Sequence, residues 1–134
     1  MATILLVEDD EVCRDAVKRI LKKKGHEVIE AEDGLVALDR VRNAGPDHGI
    51  TMMITDIMMP RVDGMTLIGE ARKVDRRLKI LAITGGSRQI HSDLVKAAKN
   101  CGAHDALKKP FTQAQLLEKV DQLLLYDSLT RGKI

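Results

Sequence analysis

Five short apolar runs alternate along the chain with five segments whose apolar residues recur at helical spacing, and this alternation limits the possible folds more than any other feature. The apolar runs lie at 3–7, 27–31, 51–55, 79–83 and 104–107, and the helical patterns lie at 10–24, 34–43, 63–74, 90–101 and 112–124. Short apolar strands followed by amphipathic helices are typical of a parallel sheet that is covered by helices on both faces. Because crossovers between parallel strands are right-handed, the pattern predicts a doubly wound α/β fold with five strands.

Composition argues against several kinds of function. The chain of 134 residues has one Tyr, one Phe and no Trp, which disfavours the stacking platforms that bind single-stranded nucleic acids. Its 22 basic and 20 acidic residues nearly balance, so the electrostatic signature of nucleic-acid binding is weak. No apolar run approaches the roughly 18 residues that a membrane span needs. We therefore expect a single domain with no direct nucleic-acid contact and no membrane insertion.

The two cysteines, Cys13 and Cys101, have neither the spacing of a metal site nor that of a disulfide framework. Each lies in the apolar stripe of a predicted helix. We expect both to be buried free thiols, which indicates a reducing compartment and a cytoplasmic protein.

Charged and hydroxyl side chains follow the predicted strands at the point where each strand ends. In doubly wound folds the ligand site lies at the carboxyl ends of the strands, because these ends meet at one edge of the sheet. Three carboxylates, one hydroxyl and one lysine are therefore expected at that edge: Glu8, Asp9, Asp56, Thr84 and one of the adjacent Lys108 and Lys109. The neighbouring Asp10 is expected to cap the first helix.

Three clustered carboxylates need a compensating positive charge. Two unit charges about 4 Å apart repel by roughly 4 kcal/mol at an effective dielectric constant near 20, so either a carboxyl group is protonated or a cation lies among them. Oxygen ligands of this kind suit Mg²⁺, and a lysine ammonium suits a phosphoryl group. These are the parts that phosphoryl transfer requires, and an aspartate can itself be the nucleophile. Asp56 stands alone after the third strand and is the best candidate acceptor, whereas Glu8 and Asp9 are paired for metal binding.

Four segments of the chain resemble the receiver domain of bacterial two-component response regulators. They are Ile4-Leu-Leu-Val-Glu-Asp-Asp10, Ile54-Thr-Asp-Ile-Met-Met-Pro60 with Asp63-Gly64, Ile80-Leu-Ala-Ile-Thr-Gly85 and Leu107-Lys-Lys-Pro-Phe111. In this order and at matching strand ends, the four together are strongly specific. The resemblance covers about residues 3–126 and implies a flavodoxin-like (β/α)5 fold with the strand order 2-1-3-4-5. It assigns 1–126 to the receiver domain and leaves 127–134 as a C-terminal tail that we expect to be flexible.

The resemblance implies a role for each acidic residue. Asp56 would accept a phosphoryl group from the phosphohistidine of a sensor histidine kinase or of a histidine phosphotransfer protein. Glu8, Asp9 and Asp56 would bind Mg²⁺ together with the backbone carbonyl of Met58. The protein would be a switch that catalyses its own aspartyl phosphorylation, and not an enzyme with an external substrate. We expect slow dephosphorylation, because neither Met58 nor Gly86 offers a side-chain hydrogen bond to an attacking water.

The resemblance also implies roles for residues of the last two strands. Lys109, which directly precedes a cis Pro110, would contact the phosphoryl oxygens, whereas Lys108 would point to the other side of the strand. Thr84 would move toward the phosphoryl group and operate the switch. Many receivers couple that movement to an aromatic residue in the fifth strand, where this chain has Ala106. We therefore expect a switch that uses the loop after Thr84 and the fourth helix in another way.

The expected output is contact with a downstream protein, because no DNA-binding output domain fits after residue 126. The contact face implied by the resemblance is the fourth helix with the fifth strand and fifth helix. Two other functions stand as alternatives. A phosphatase with an aspartyl nucleophile on a similar sheet commonly has a second acid two residues later, where this chain has Met58. A flavin-binding electron carrier needs a phosphate loop rich in Ser, Thr and Gly after the first strand, where this chain has acidic residues.

Overall fold

The computed structural model describes residues 2–44, 49–59, 61–85 and 87–131, and it gives the backbone alone for Ala44 and 127–131. The described residues form five strands, β1 (Thr3–Val7), β2 (Glu27–Ala31), β3 (Met52–Asp56), β4 (Lys79–Thr84) and β5 (Asp105–Lys108). They also form five helices, α1 (Glu11–Lys23), α2 (Gly34–Ala44), α3 (Gly64–Val74), α4 (Arg88–Cys101) and α5 (Gln113–Arg131). All neighbouring strands are parallel, and their order across the sheet is β2-β1-β3-β4-β5. The doubly wound fold and its strand order are thereby confirmed.

Three strands extend one residue further toward their carboxyl ends than the sequence pattern predicts, and one of them is β5, which ends at Lys108. β3 ends at Asp56 and β4 ends at Thr84, so both residues are the last of a strand rather than the first of a loop. Asp56 pairs in register with Ile83 of β4, which continues the ladder by one residue. α5 continues to Arg131, so the expected tail overlaps the last turns of this helix. Gly86 and residues 132–134 lie outside the described part of the chain.

The core consists of two apolar layers, one on each face of the sheet. Side-chain alternation along β1 places Leu5 and Val7 in the layer beneath α2, α3 and α4, and Ile4 and Leu6 in the layer beneath α1 and α5. All residues of β4 are buried. Burying one aliphatic side chain contributes about 1.5–3 kcal/mol to the free energy of folding. The many buried side chains of the two layers therefore hold the strand ends in a fixed arrangement. Within the described ranges, no helix is both long enough and apolar enough to cross a lipid bilayer.

The ends of two helices carry the capping chemistry that their sequences favour. Asp10 caps α1 and accepts hydrogen bonds from the backbone N–H groups of Val12 and Cys13 at 2.9 and 3.1 Å, as predicted. At the start of α5, Thr112 Oγ1 accepts from the N–H of Gln115 at 3.1 Å. In return, Gln115 Oε1 accepts from the N–H of Thr112 at 2.8 Å, which completes a capping box.

The prediction that both cysteines are buried is wrong. Cys13 is half-buried and Cys101 is exposed. α4 packs on the sheet through Leu94, Val95 and Ala98. The centre of this packed face lies to one side of Cys101, which is in the last turn of the helix and faces solvent.

Candidate functional site

Three carboxylates and one ammonium group converge at the carboxyl edge of the sheet. Glu8 and Asp9 follow β1, Asp56 ends β3, and β1 and β3 are neighbours in the sheet. One oxygen from each of these three carboxylates lies within 4.8 Å of the others. Lys109 follows β5, which is separated from β3 by β4, and its long side chain reaches across that strand. The structure thus brings together four of the five residues that the sequence assigns to this edge.

Lys109 contacts two of the carboxylates at once. Its Nζ atom donates to Glu8 Oε1 at 2.6 Å and to Asp56 Oδ2 at 2.8 Å. Burial acts against the charge of Lys109, but the hydrogen bonds to Asp56 and Glu8 outweigh it and hold the pKa of Lys109 above its ordinary value. The ammonium group therefore stays charged and compensates part of the negative charge of the cluster.

Glu8 is buried and its pKa is raised to about 7. Burial is the main cause, the hydrogen bond from Lys109 opposes it, and the proximity of Asp56 adds to it. The second carboxylate oxygen of Glu8, Oε2, is buried and has no hydrogen-bond partner among the described residues. Because an ionised oxygen in such a place is costly, Oε2 needs a proton or a cation.

The donor set at this edge fits Mg²⁺. The side-chain ligands are carboxylate oxygens, which a small hard cation prefers, and Glu8 Oε2 is one that no described protein group uses. Asp9 is exposed, so a cation bound here would keep contact with water. The backbone N–H of Met58 donates to Asp56 Oδ1 at 3.3 Å, which places the backbone of Met58 beside the cluster. The apolar side chain of Met58 is exposed.

Thr84 lies at the same edge, but its hydroxyl group points toward α4. Thr84 is buried, and its Oγ1 forms a hydrogen bond with Nδ1 of His91. Side-chain alternation explains the direction, because Ala82 packs in the layer beneath α4 and Thr84 is two residues further along the same strand. The sequence pattern assigns no role to His91. The available signal was its position in the first turn of the helix that follows Thr84.

The two lysines at the end of β5 differ in what they contact. Lys108 is the last residue of the strand and pairs in register with Thr84, whereas the side chain of Lys109 reaches the carboxylates. The peptide bond between Lys109 and Pro110 is cis, as the resemblance implied. Ala106 is buried in the layer beneath α4.

A cavity of about 550 Å³ adjoins the acidic cluster. It is lined by residues of α1, α5 and the sheet, with Asp56 and Lys109 at its polar end and the small side chains of Cys13 and Ala16 on the α1 side. The side chain of Asp56 is only 13% exposed. The Asp56 carboxylate is therefore largely shielded by protein atoms and borders this cavity.

The chain is similar to response regulators along most of its length. Residues 4–121 match the family described as the response regulator receiver domain. The response regulator MprA from Mycobacterium sp. (strain KMS) is 37% identical over 129 residues, which are 96% of this chain and 53% of MprA. The chain thus spans about half the length of the curated relatives that it matches.

Solved structures show the same likeness. A response regulator receiver domain protein from Clostridium thermocellum is similar with a TM-score of 0.87 and 25% sequence identity, over 97% of this chain and 99% of that one. The chemotaxis protein CheY4 from Vibrio cholerae is similar with a TM-score of 0.79 and 28% identity, over 92% of this chain and 98% of CheY4. Both similarities extend over nearly the whole of each chain.

Proposed function

The chain belongs to the response regulator receiver domain family, and on this basis we propose that it is a phosphorylation-dependent signalling switch whose phosphoryl acceptor is Asp56. The observation that supports this most is the double contact of Lys109 with Glu8 and Asp56. It puts a cation and a second acid beside one aspartate, and all three residues line the same cavity. Phosphoryl transfer to a carboxylate depends on this kind of positioning and charge compensation.

In the proposed step a carboxylate oxygen of Asp56 attacks the phosphorus atom of a phosphohistidine. An O–P bond forms, the N–P bond breaks, and the histidine nitrogen keeps the electron pair of that bond. Lys109 Nζ, which lies 2.8 Å from Asp56 Oδ2, is close enough to donate to a phosphoryl oxygen as negative charge gathers there. Because an ammonium group has three donors, it can make this bond while it keeps a carboxylate partner.

Receiver domains typically bind Mg²⁺ at an acidic pocket. In this chain Glu8, Asp9 and Asp56, with the backbone carbonyl of Met58, would hold the ion. When bound, the ion would supply positive charge to the transferring phosphoryl group. The unpartnered Oε2 of Glu8 supports this assignment.

The proposed partners follow from the same chemistry. The donor is the phosphohistidine of a sensor histidine kinase or a histidine phosphotransfer protein, and the output is a changed contact with a downstream protein in the cytoplasm. After transfer, the hydroxyl group of Thr84 donates a hydrogen bond to the phosphoryl group. Phosphorylation alters protein contacts by shifting an equilibrium between two conformations.

Mass spectrometry after incubation with acetyl phosphate and Mg²⁺ tests the acceptor. We expect a gain of about 80 Da, the mass of one phosphoryl group, which is lost in Asp56→Asn. Asp63→Asn is the matched control, because Asp63 caps α3 in the same loop and asparagine can keep the hydrogen bond from the N–H of Thr66. A wild-type protein that gains no mass, or an Asp56→Asn variant that gains it fully, would contradict the proposal.

Slow loss of the phosphoryl group is the second part of the proposal. The side chain of Met58 is exposed beside Asp56 and has no group that could orient a water molecule. We therefore expect Met58→Asn, which adds such a group, to shorten the phosphoryl half-life several-fold, with Met58→Leu as the apolar control. A wild-type half-life of seconds in the purified protein would refute this part while leaving the identity of the acceptor intact.

A further inference from the structure

The hydrogen bond between Thr84 and His91 joins the end of the sheet to the start of α4. Thr84 is buried and His91 is half-buried, whereas residues 87–90 are all exposed. Further along the helix, Leu94 and Ala98 pack in the apolar layer. Among the described residues of α4, His91 is therefore the first that is attached to the sheet.

The contribution of the fifth strand to the region beneath α4 is a small apolar side chain. β5 contributes the methyl group of Ala106 to the layer beneath α4, opposite Ala82 of β4. A methyl group cannot accept or donate a hydrogen bond, so it cannot respond to a change in the Thr84 hydroxyl. His91, by contrast, is a polar residue of α4 that hydrogen-bonds to the Thr84 hydroxyl group directly.

A threonine hydroxyl has a single proton to donate. The Nδ1 atom of a neutral imidazole accepts that proton when it carries none itself, and a phosphoryl group on Asp56 would add three strong acceptor oxygens. Asp56 pairs in register with Ile83, the residue before Thr84, on a strand about 4.8 Å away. A phosphoryl group on Asp56 and Nδ1 of His91 would therefore be alternative acceptors for the hydrogen bond that the Thr84 hydroxyl group can donate.

We propose that His91 is the positioning residue through which Thr84 transmits phosphorylation to α4, an inference that rests on the proposed function of Asp56. In the unphosphorylated protein, His91 Nδ1 accepts the hydroxyl proton of Thr84 and holds the first turn of α4 against the sheet. After phosphorylation, Thr84 rotates about its Cα–Cβ bond and donates to the phosphoryl group instead. His91 loses its partner, and the exposed first turn of α4 is released.

Nitrogen NMR of the imidazole rings tests the proposal directly. Protein labelled with ¹⁵N is recorded alone and with Mg²⁺ and acetyl phosphate, and we expect the ring nitrogens of His91 to shift on phosphorylation. His26 and His104 are internal controls, because their Nδ1 atoms accept from the backbone N–H groups of Ala2 and Ile80 at the opposite edge of the sheet. Unchanged His91 signals in protein that has gained the phosphoryl mass would overturn the proposal.

A second measurement tests the hydrogen bond between Thr84 and His91 in the unphosphorylated protein. Thr84→Val removes the hydroxyl group at nearly constant volume and should shift the ring nitrogens of His91, whereas Thr84→Ser keeps the hydroxyl group and should not. A missing mass gain with acetyl phosphate would refute the acceptor role of Asp56 but leave this result standing. Identical His91 signals in wild type and Thr84→Val would refute the pairing, whatever happens at Asp56.

Amide hydrogen exchange shows whether the pair controls α4. With wild type and variants phosphorylated to equal extents, we expect phosphorylation to make amide exchange at Ile90 and His91 of wild type about fivefold faster, the factor that one net hydrogen bond supplies. These two amides of the first turn of α4 donate to Ser87 and are protected in the unphosphorylated protein. In His91→Phe the exchange should already be fast and should not respond to phosphorylation. His91→Gln, whose side-chain oxygen can accept from Thr84, should restore the response. An equal response in wild type and His91→Phe would overturn the proposal.

Discussion

Replacing Gly64 by alanine tests how closely the start of α3 holds the phosphoryl acceptor in place. Gly64 is the first residue of α3, and its N–H donates to the carbonyl oxygen of Ile57 at 2.9 Å. A Cβ atom at this position would lie 2.4 Å from the carbonyl oxygen of Asp56 and 2.5 Å from Cα of Ile57. Both neighbours are backbone atoms, so neither can move aside by a simple side-chain rotation.

The size of the effect follows from these distances. The backbone would have to move by about 1 Å to restore an ordinary contact of 3.4 Å or more. Overpacking of this kind costs about 1–3 kcal/mol, and loss of the hydrogen bond to Ile57 adds about 1 kcal/mol. We therefore expect Gly64→Ala to lower the free energy of unfolding by about 2–4 kcal/mol. Because a displacement of about 1 Å at a reacting group can cost 100-fold in rate, phosphoryl uptake at Asp56 should fall as well.

Gly69 in the same helix supplies the control. A Cβ atom there would meet no heavy atom within 4 Å, so Gly69→Ala should raise the free energy of unfolding by about 0.5–1 kcal/mol through helix propensity alone. Urea unfolding gives both free energies, and mass spectrometry with acetyl phosphate gives the rate of uptake. A Gly64→Ala protein that is as stable and as quickly phosphorylated as wild type would refute the reasoning, since the contact with Asp56 would then be free to relax.

Three further predictions concern charge and capping. Lys109→Met should lower the free energy of unfolding by about 1–3 kcal/mol in the absence of divalent cations, because the buried Glu8 and the half-buried Asp56 lose their shared counter-ion. The loss stays below that of a fully buried ion pair because the Lys109 side chain is partly exposed in wild type. Added Mg²⁺ should recover more stability in the variant than in wild type. Burial, with Lys79 and Arg72 nearby, lowers the pKa of His104 to about 4 from 6.5, so the unfolded chain binds a proton that the folded protein does not. The contribution of His104 to stability should therefore fall by about 2–3 kcal/mol as the pH drops from 6.5 to 4, whereas the raised pKa of Glu8 acts in the opposite direction in wild type and variant alike. In urea unfolding, the difference in free energy between wild type and His104→Gln, which can still accept the N–H of Ile80, should change by that amount over this range, and a constant difference would contradict the prediction. Thr112→Ala should lower the free energy of unfolding by about 1 kcal/mol, because it removes one of the two hydrogen bonds of the capping box at α5. An unchanged midpoint in urea unfolding would contradict that role.

The pattern of residues along the chain is enough to predict the order of elements and the edge at which the acids meet. Periodicity marks each strand and helix because side chains alternate along strands and recur every third or fourth residue on helices. Parallel strands all end at one edge, so Glu8, Asp9, Asp56 and Lys109 could be placed together before any distance was known. What the pattern could not supply was the rotation of each helix about its axis, and Cys101 is exposed for that reason.

How these groups act on one another depends on the packing of the folded chain and cannot be derived from the sequence pattern. The reach of Lys109 across β4, the unpartnered oxygen of Glu8 and the Thr84–His91 pair all depend on separations between residues that are distant in the sequence or on different elements. Electrostatic and hydrogen-bond energies change steeply over an ångström, whereas sequence spacing locates a side chain only to a strand end or a helix face. The pattern therefore identifies the groups at the site, and the packing of the helices on the sheet sets their pKa values and their partners.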